Sequence, residues 1–174
     1  MTGEDLTDDA FLDGRMRLWQ PRAGYRAATD PLFLAAACGA CPGQSVLDLG
    51  CGVGAAALAL GLRVEGVSLF GLELQPAYAA LARRNAARNG VVLDVVEGDA
   101  ARMPDALRAR SFDHVITNPP YFGADAGPPA ADAGRDAAFR ESLDLARWCD
   151  AGLRRVVSGG TFTLIHRAER LGEI

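Results

Sequence analysis

The chain has 174 residues, a length typical of one domain. Hydrophobic residues make up 49% and charged residues 23% of it, which excludes a disordered protein. The net charge of −4 argues against a uniformly basic, nucleic-acid-coating protein, and every basic residue is an arginine. No apolar run approaches the roughly 20 residues of a membrane span. The acidic start lacks the features of a signal peptide. We therefore expect a cytoplasmic protein with no membrane partner.

The first 30 residues are predicted to form an acidic tail and an arm, ahead of a main domain over residues 31–174. Residues 1–14 carry five acids and no base, whereas residues 15–26 carry four arginines together with Trp19 and Tyr25. Basic and aromatic residues in alternation are typical of a nucleic-acid surface. The two rings could equally anchor the arm on the domain, and both interpretations stay open at this point.

Strands and helices alternate along the rest of the chain. Helices are predicted from Pro31 to the turn at residues 41–43, over 55–62, over 76–90 and over 140–156. Strands are predicted over 45–50, 67–74, 91–99 and 112–118, and in the segment after Gly160. This alternation predicts an α/β domain with a mainly parallel sheet. The stretch 122–136, rich in Gly, Ala, Pro and Asp, is predicted to be a surface loop.

Metal ligands are sparse in the sequence. Cys38 and Cys41 form one C-x-x-C pair without a second pair, and the two histidines are His114 and His166. A tetrahedral zinc site needs four ligands at suitable spacing. We predict no metal site and interpret both histidines as structural.

A glycine-rich turn, D-L-G-C-G-V-G, lies between the first strand of the domain and a helix. Its glycines are Gly50, Gly52 and Gly54, and the acid Asp48 precedes them. Glycine lets the backbone approach a ligand closely, and a helix N-terminus presents free N–H groups. The spacing G-x-G-x-G differs from the G-x-G-x-x-G of pyrophosphate-binding folds. The acid favours a ligand with a positive amino group and a sulfonium over a phosphate.

Two further acids end the next two strands. Glu73 can accept hydrogen bonds from both hydroxyls of a ribose. Asp99 can accept one from an adenine amino group, while Ala100 offers its backbone N–H to the ring. Asp99 has an alternative role as a helix N-cap, for which aspartate is favoured.

The sharpest motif is N-P-P-Y at the end of the fourth strand, Asn118 to Tyr121. Two prolines fix the backbone and withhold two donors. The Asn118 side-chain oxygen and the Pro119 carbonyl can then accept both hydrogens of one planar amine. Tyr121 can stack on the ring that bears the amine, and Phe122 extends the apolar wall. This arrangement favours attack by the amine nitrogen on an electrophilic methyl through positioning and electrostatics.

With these motifs the sequence resembles the class I S-adenosylmethionine-dependent methyltransferases that carry N-P-P-Y. Within that branch it is most similar to the bacterial tRNA adenine N6-methyltransferase group, on residues 20–30, 118–122 and 164–171. The resemblance covers the chain from Phe11 to Ile174. It implies a Rossmann-like sheet, S-adenosylmethionine as cofactor and a tRNA as RNA partner.

The resemblance also assigns roles residue by residue. The expected cofactor-binding residues are Asp48, Gly50, Gly52, Gly54, Glu73, Leu74, Asp99, Ala100 and Asn118. The expected catalytic residues are Asn118, Pro119, Pro120 and Tyr121. The expected substrate-binding residues are Arg26, Asp30, Tyr121 and Phe122, because in that family the N-terminal arm folds over the cofactor.

The sequence departs from the family pattern in its strand count. A complete class I domain has seven strands, the last two forming an antiparallel hairpin, whereas five are predicted here. We therefore expect this chain to lack the last two strands. The alternative functions are glutamine N5-methylation of a protein release factor, DNA adenine methylation, and non-catalytic nucleotide binding. About 40 residues precede the first strand of the domain, few for the helical domain of release-factor enzymes.

Overall fold

The computed structural model describes residues 5–119 and 145–174. The strands are β1 (Leu6–Phe11), β2 (Met16–Pro21), β3 (Ser45–Leu49), β4 (Ser68–Glu73), β5 (Leu93–Glu97), β6 (Phe112–Thr117) and β7 (Val156–Leu164). The helices are α1 (Asp30–Ala37), α2 (Ala55–Arg63), α3 (Pro76–Arg88), α4 (Asp105–Arg108) and α5 (Leu145–Leu153), with 3-10 turns at Ala100–Arg102 and Ala168–Glu173. No helix within these ranges is long and apolar enough to cross a membrane.

The central sheet has the strand order β5-β4-β3-β6-β7, and each neighbouring pair is parallel. The predicted α/β domain with a parallel sheet is therefore confirmed. Parallel strands place their carboxyl ends at one edge of the sheet. The chain moves outward from β3 in both directions, to β4 on one side and to β6 on the other. Ligands of open α/β sheets bind in the crevice that such a switch in direction creates.

Helices cover both faces of the sheet, which explains why the strands are apolar on both sides. One face packs α1, α2 and α3 over a core that includes Leu58 and Leu60. The other face packs α5 and residues 100–107 over Leu47 and Phe112. Burying one such leucine contributes about 2 kcal/mol to folding. The switch in direction at β3 thus lies between two well-packed layers.

Helix α5 shows the spacing that the sequence predicts. Its buried residues are Leu145, Trp148, Cys149 and Gly152, which recur on one face at three- and four-residue intervals. Trp148 lies in the core, since the residue is buried. The first part of the predicted helix, residues 140–144, lies outside the described residues.

The N-terminal hairpin of β1 and β2 was not predicted. The two strands pair antiparallel, with Phe11 opposite Met16. Their connection needs three consecutive residues at positive φ, namely Leu12 (53°), Asp13 (54°) and Gly14 (82°). A leucine disfavours that region, so this turn has no ordinary sequence signal.

Helix α3 holds the free edge of β2 through two asparagines. The Asn85 side chain accepts a hydrogen bond from the Trp19 N–H (2.7 Å) and donates one to the Trp19 carbonyl (3.1 Å). Asn89 repeats this with the Arg17 N–H (2.9 Å) and carbonyl (2.8 Å). The residues are four apart, one turn of a helix, and therefore present their amides side by side. Each amide pairs with the strand as a neighbouring strand would.

The acids and arginines of the N-terminal region pair with one another. Asp8 lies 2.9 Å from Arg17 and 2.8 Å from Arg88, and these two guanidinium groups lower its pKa to about 2. The Arg88 guanidinium also lies 4.5 Å from the centre of the Trp19 ring. Trp19 and Tyr25 pack against the core, so the interpretation of both rings as anchors of the arm is supported.

Candidate functional site

A cavity lies at the carboxyl edge of the sheet, where β3 and β6 meet. Four segments contribute to its wall: the arm that follows the hairpin, helix α1, the glycine turn with its flanks, and the end of β6. The lining residues are Tyr25, Ala27, Pro31, Leu34, Asp48, Gly50, Cys51, Val53, Ala55, Ala56 and Asn118. Three predicted site residues, Asp48, Gly50 and Asn118, therefore share one cavity although up to 70 positions separate them in sequence.

The glycine turn is held against the end of β4. The Gly50 and Cys51 N–H groups both donate to the Leu72 carbonyl, each at 2.9 Å. Gly50 has φ of 78°, and a Cβ there would lie 3.0 Å from the Trp148 ring. Gly52 has φ of 56°, and its Cβ would lie 3.5 Å from the Tyr25 ring. Both positions have a left-handed backbone, which favours glycine, and at Gly50 the Trp148 ring also leaves little room for a Cβ.

Asp48 is a buried carboxyl at the end of β3, 3% exposed. Its Oδ2 accepts a hydrogen bond from the Ala57 N–H at 3.2 Å, in the first turn of α2. Burial raises the pKa of Asp48 to about 7, against the lowering effect of that hydrogen bond. A cationic group of a ligand in the cavity would favour the ionised carboxylate. Asp48 therefore suits an ammonium far better than an anion.

Glu73 ends β4 and is also buried, 7% exposed. Its two oxygens accept hydrogen bonds from the Gly52 N–H (2.9 Å) and the Gln75 N–H (2.8 Å). Burial raises the pKa of this carboxyl, and the backbone donors oppose that rise. A carboxylate offers about four acceptor sites, so capacity remains for the hydroxyls of a ligand. Glu73 thus fixes the glycine turn; it does not line the cavity around Asp48, and its ribose role remains a prediction.

The structure shows the alternative role of Asp99. Its Oδ1 accepts a hydrogen bond from the Ala101 N–H at 2.8 Å, so it caps the 3-10 turn that begins at Ala100. Asp99 and Ala100 do not line the cavity around Asp48. Leu74, next to Glu73, is 49% exposed. Contact of these three residues with an adenine ring remains a prediction.

Asn118 follows β6 and carries the most informative atom of the site. Its side-chain Oδ1 is buried and accepts no hydrogen bond from the described residues. Such an atom costs about 1–3 kcal/mol, which a ligand donor can recover. Pro119 beside it is buried, whereas Pro120, Tyr121 and Phe122 lie outside the described residues.

The strand end that presents Asn118 is fixed by a relay that the sequence did not reveal. The Thr117 hydroxyl donates to the Leu49 carbonyl at 2.7 Å and accepts from the Trp148 Nε1–H at 2.9 Å. The relay joins β6, β3 and α5 directly behind the cavity. In the sequence, a threonine at the end of an apolar strand, just ahead of N-P-P-Y, could have indicated such a hydrogen bond.

The arm packs on the hairpin and also contributes to the cavity wall. Arg26 donates to the Thr7 hydroxyl (2.8 Å) and the Pro21 carbonyl (2.9 Å), and pairs with Asp9 (2.6 Å). Arg26 thus ties the arm to the hairpin. Asp30 begins α1, one residue before the cavity-lining Pro31. Tyr25, for which the sequence suggested an anchor or a nucleic-acid contact, also lines the cavity. Substrate binding by Arg26 and Asp30 remains a prediction.

Comparison with known proteins identifies the family to which the chain belongs. Residues 46–130 match the family described as "Methyltransferase domain". The chain is 31% identical over 167 residues to the tRNA1(Val) (adenine(37)-N6)-methyltransferase of Actinobacillus succinogenes, covering 93% of this chain and 69% of that protein. The chain belongs to this family of S-adenosylmethionine-dependent methyltransferases.

Two other similarities are informative. The release factor glutamine methyltransferase of Geobacter sulfurreducens is 38% identical over 78 residues, which is 45% of this chain and 26% of that protein. The crystal structure of a predicted O-methyltransferase from Agrobacterium tumefaciens superposes with a TM-score of 0.62 at 28% identity, covering 83% of this chain and 64% of that one. This methyltransferase chain thus spans about two thirds of the length of its better-covered relatives.

S-adenosylmethionine is the methyl donor of this methyltransferase. The chemistry of the described residues fits it, since a buried acid, a glycine turn and a buried acceptor with no hydrogen bond from the described residues surround one small cavity of about 20 Å³. Binding of the donor's ammonium by Asp48 and of its ribose hydroxyls by Glu73 remains a prediction. Within residues 5–119 and 145–174, no three His, Cys, Asp or Glu side chains group as metal ligands.

Proposed function

We propose that this methyltransferase transfers a methyl group to the exocyclic N6 of an adenine in tRNA. The proposal rests above all on the Asn118 Oδ1, which is buried beside the donor cavity and accepts no hydrogen bond from the described residues. An exocyclic amine offers the hydrogen that this atom requires. The 31% identity to a tRNA adenine N6-methyltransferase over 93% of the chain supports adenine in tRNA as the acceptor.

The chain's own groups act by orienting the amine. The Asn118 Oδ1 and the Pro119 carbonyl each accept one hydrogen of the amine, which turns the nitrogen lone pair away from the base plane. The donor supplies an electrophilic methyl on a sulfonium. The nitrogen lone pair forms the bond to the methyl carbon as the carbon–sulfur bond breaks, and the thioether leaves with the electron pair of that bond. The methylated nitrogen is then cationic and releases one of its two hydrogens as a proton to solvent. Since both oxygens are neutral acceptors, they hold the hydrogens without acting as a base, and catalysis is positioning and electrostatics. Stacking of the base on Tyr121 is part of the proposal.

A second acceptor, the glutamine amide of a release factor, is favoured by one observation. Local identity to the Geobacter sulfurreducens enzyme reaches 38%, higher than to the tRNA enzyme, but over 26% of that protein's length against 69%. An amide nitrogen also carries two hydrogens and satisfies the same two oxygens. The longer alignment favours the adenine.

Transfer of a radiolabelled methyl group to unmodified tRNA, release factor and DNA in parallel tests the proposal. We expect label in tRNA, at N6 of adenine after nuclease digestion. The Asn118→Ala variant should bind S-adenosylmethionine nearly as well as the wild type and transfer no methyl. Label in protein alone would overturn the tRNA assignment, and full activity of Asn118→Ala would overturn the role of its oxygen.

A further inference from the structure

We infer that an arginine-lined groove on the opposite face of the sheet from α1–α3 binds the phosphate backbone of the RNA substrate. This inference rests on the proposed function, because it concerns the same substrate. The groove lies between residues 100–108 and α5. Its lining residues are Ala100, Ala101, Arg102, Met103, Pro104, Asp105, Arg108, Arg147, Asp150, Ala151, Arg154 and Arg155.

The charge of the groove differs from that of the chain. The groove carries five arginines against two aspartates, whereas the whole chain has a net charge of −4. The rim of the groove therefore favours an anion. Phosphate contacts from arginine supply much of the affinity of nucleic-acid-binding proteins and do not depend on base sequence.

Helix α5 orients its polar residues into the groove. Arg147, Asp150, Ala151 and Arg154 follow the spacing i, i+3, i+4, i+7 and lie on one face, opposite the buried face with Trp148. Arg147 and Arg154 are therefore aligned about 10 Å apart along the helix. Aligned cations at that spacing suit a repeating polyanion better than a single phosphate.

The groove leads away from the edge where the donor and the acceptor meet. Ala100 lines it and directly follows Asp99, which lies at the carboxyl edge of the sheet. At the other end, Arg155 donates to the carbonyls of Arg108 and Arg110, and its own carbonyl accepts from the Phe112 N–H at the start of β6. The groove therefore crosses the sheet face from its carboxyl edge to its amino edge. An RNA strand that enters the active site can continue along it.

Two guanidinium groups of the groove are accessible to a phosphate. The Arg102 side chain is 88% exposed, and Asp99 lies 3.9 Å from it. The Arg154 side chain, directly after α5, is 70% exposed and pairs with Asp150 of that helix at 2.9 Å. Exposed pairs of this kind contribute about 0–1 kcal/mol, so a phosphate can compete for the arginine. Before a phosphate binds, the ion pair with Asp150 orients the Arg154 side chain.

The test compares two charge-matched double variants. Arg102→Gln with Arg154→Gln removes two exposed cations from the groove. Arg83→Gln with Arg84→Gln removes two from α3, on the other face of the sheet. The affinity for unmodified tRNA is measured by fluorescence anisotropy over a roughly fourfold range of salt concentration, and thermal denaturation shows whether each variant is folded.

We expect the groove variant to bind tRNA more weakly and to lower the salt slope by about 1.4, since each arginine that no longer neutralises a single-strand phosphate reduces the slope by about 0.7. The affinity gap from the wild type then shrinks about sevenfold over that fourfold salt range. The α3 variant should keep the wild-type slope. The double variant Arg102→Lys with Arg154→Lys should keep most of the wild-type affinity, because it keeps the charge.

Three results would overturn the inference, and they are distinguishable. If the wild type methylates tRNA while the groove variant binds it like the wild type, or both double variants bind it equally weakly, the groove is wrong and the proposed function stands. If the wild type neither binds nor methylates tRNA and labels release factor instead, the proposed function fails and the groove with it.

Discussion

The ionisation of Asp48 should control how tightly the methyl donor binds. Burial holds the pKa of this carboxyl at about 7 instead of 3.8, and the carboxyl lines the donor cavity. If the ionised form pairs with the donor's ammonium, affinity follows the ionised fraction. That fraction is about one part in a hundred at pH 5, so affinity should rise about tenfold per pH unit up to pH 7.

The donor's own amino group limits the alkaline side. An α-amino group has a pKa of about 8, and its neutral form cannot pair with a carboxylate. The affinity of the wild type should therefore pass through a maximum between about pH 7 and 8. Isothermal titration calorimetry with S-adenosylhomocysteine from about pH 5 to 9 measures this profile without turnover. A flat profile on the acidic side would refute the reasoning.

The Asp48→Asn variant separates this carboxyl from Glu73, whose pKa burial also raises. Asparagine keeps the acceptor for the Ala57 N–H and does not titrate. The variant should bind the donor more weakly at about pH 7.5 and lose the tenfold dependence below about pH 7. An unchanged profile would assign the titration to another group.

The same carboxyl makes a prediction for the protein without ligand. Its folded pKa lies above its ordinary value of 3.8, so its contribution to stability is fully present below pH 3.8 and is lost as the pH rises through about 7. The shift corresponds to as much as about 4 kcal/mol. Urea denaturation at about pH 4 and about pH 8 should show a smaller loss for Asp48→Asn than for the wild type. Equal losses would contradict the assignment.

Three substitutions test the supports around the cavity by urea denaturation, donor titration and, for Trp148→Phe, the rate of methyl transfer. Asn85→Ala removes three hydrogen bonds to backbone groups and should lower the free energy of unfolding by about 2 to 4 kcal/mol; a loss near zero would show that the hairpin docks without this amide. Trp148→Phe removes the donor to Thr117 and should cost about 1 kcal/mol or more while slowing methyl transfer; unchanged turnover would show that the relay does not position the strand end. Gly71→Ala places a Cβ 2.7 Å from the Cys51 sulfur and should cost about 1–3 kcal/mol and weaken donor binding; wild-type donor affinity would show that the turn can shift without consequence.

Local sequence patterns were sufficient to predict the parallel strands and the glycine turn. They were insufficient where contacts between distant residues determine the structure. Strand β7 begins at Val156, earlier than predicted, and runs through Gly160. A Cβ at Gly160 would lie 2.5 Å from the Asp113 carbonyl, so glycine permits the close approach of two strands at a bulge. In the sequence, the pair Gly159 and Gly160 has the composition of a turn, so the strand was predicted to begin only after it.

Helix α3 positions both the hairpin and the Tyr25 part of the cavity wall, and the long sequence separation between these parts hid this from sequence analysis. Asn85 on α3 holds Trp19 of β2 across 66 positions. Tyr78, on the same helix, donates to the Tyr25 carbonyl at 3.2 Å and lies 6.5 Å from the Tyr25 ring, centre to centre. Helix α3 therefore sets where Tyr25 lies over Gly52. Loosening the hairpin at Asn85 should weaken donor binding even though Asn85 does not line the cavity, because the ring that closes the glycine turn would lose its fixed position.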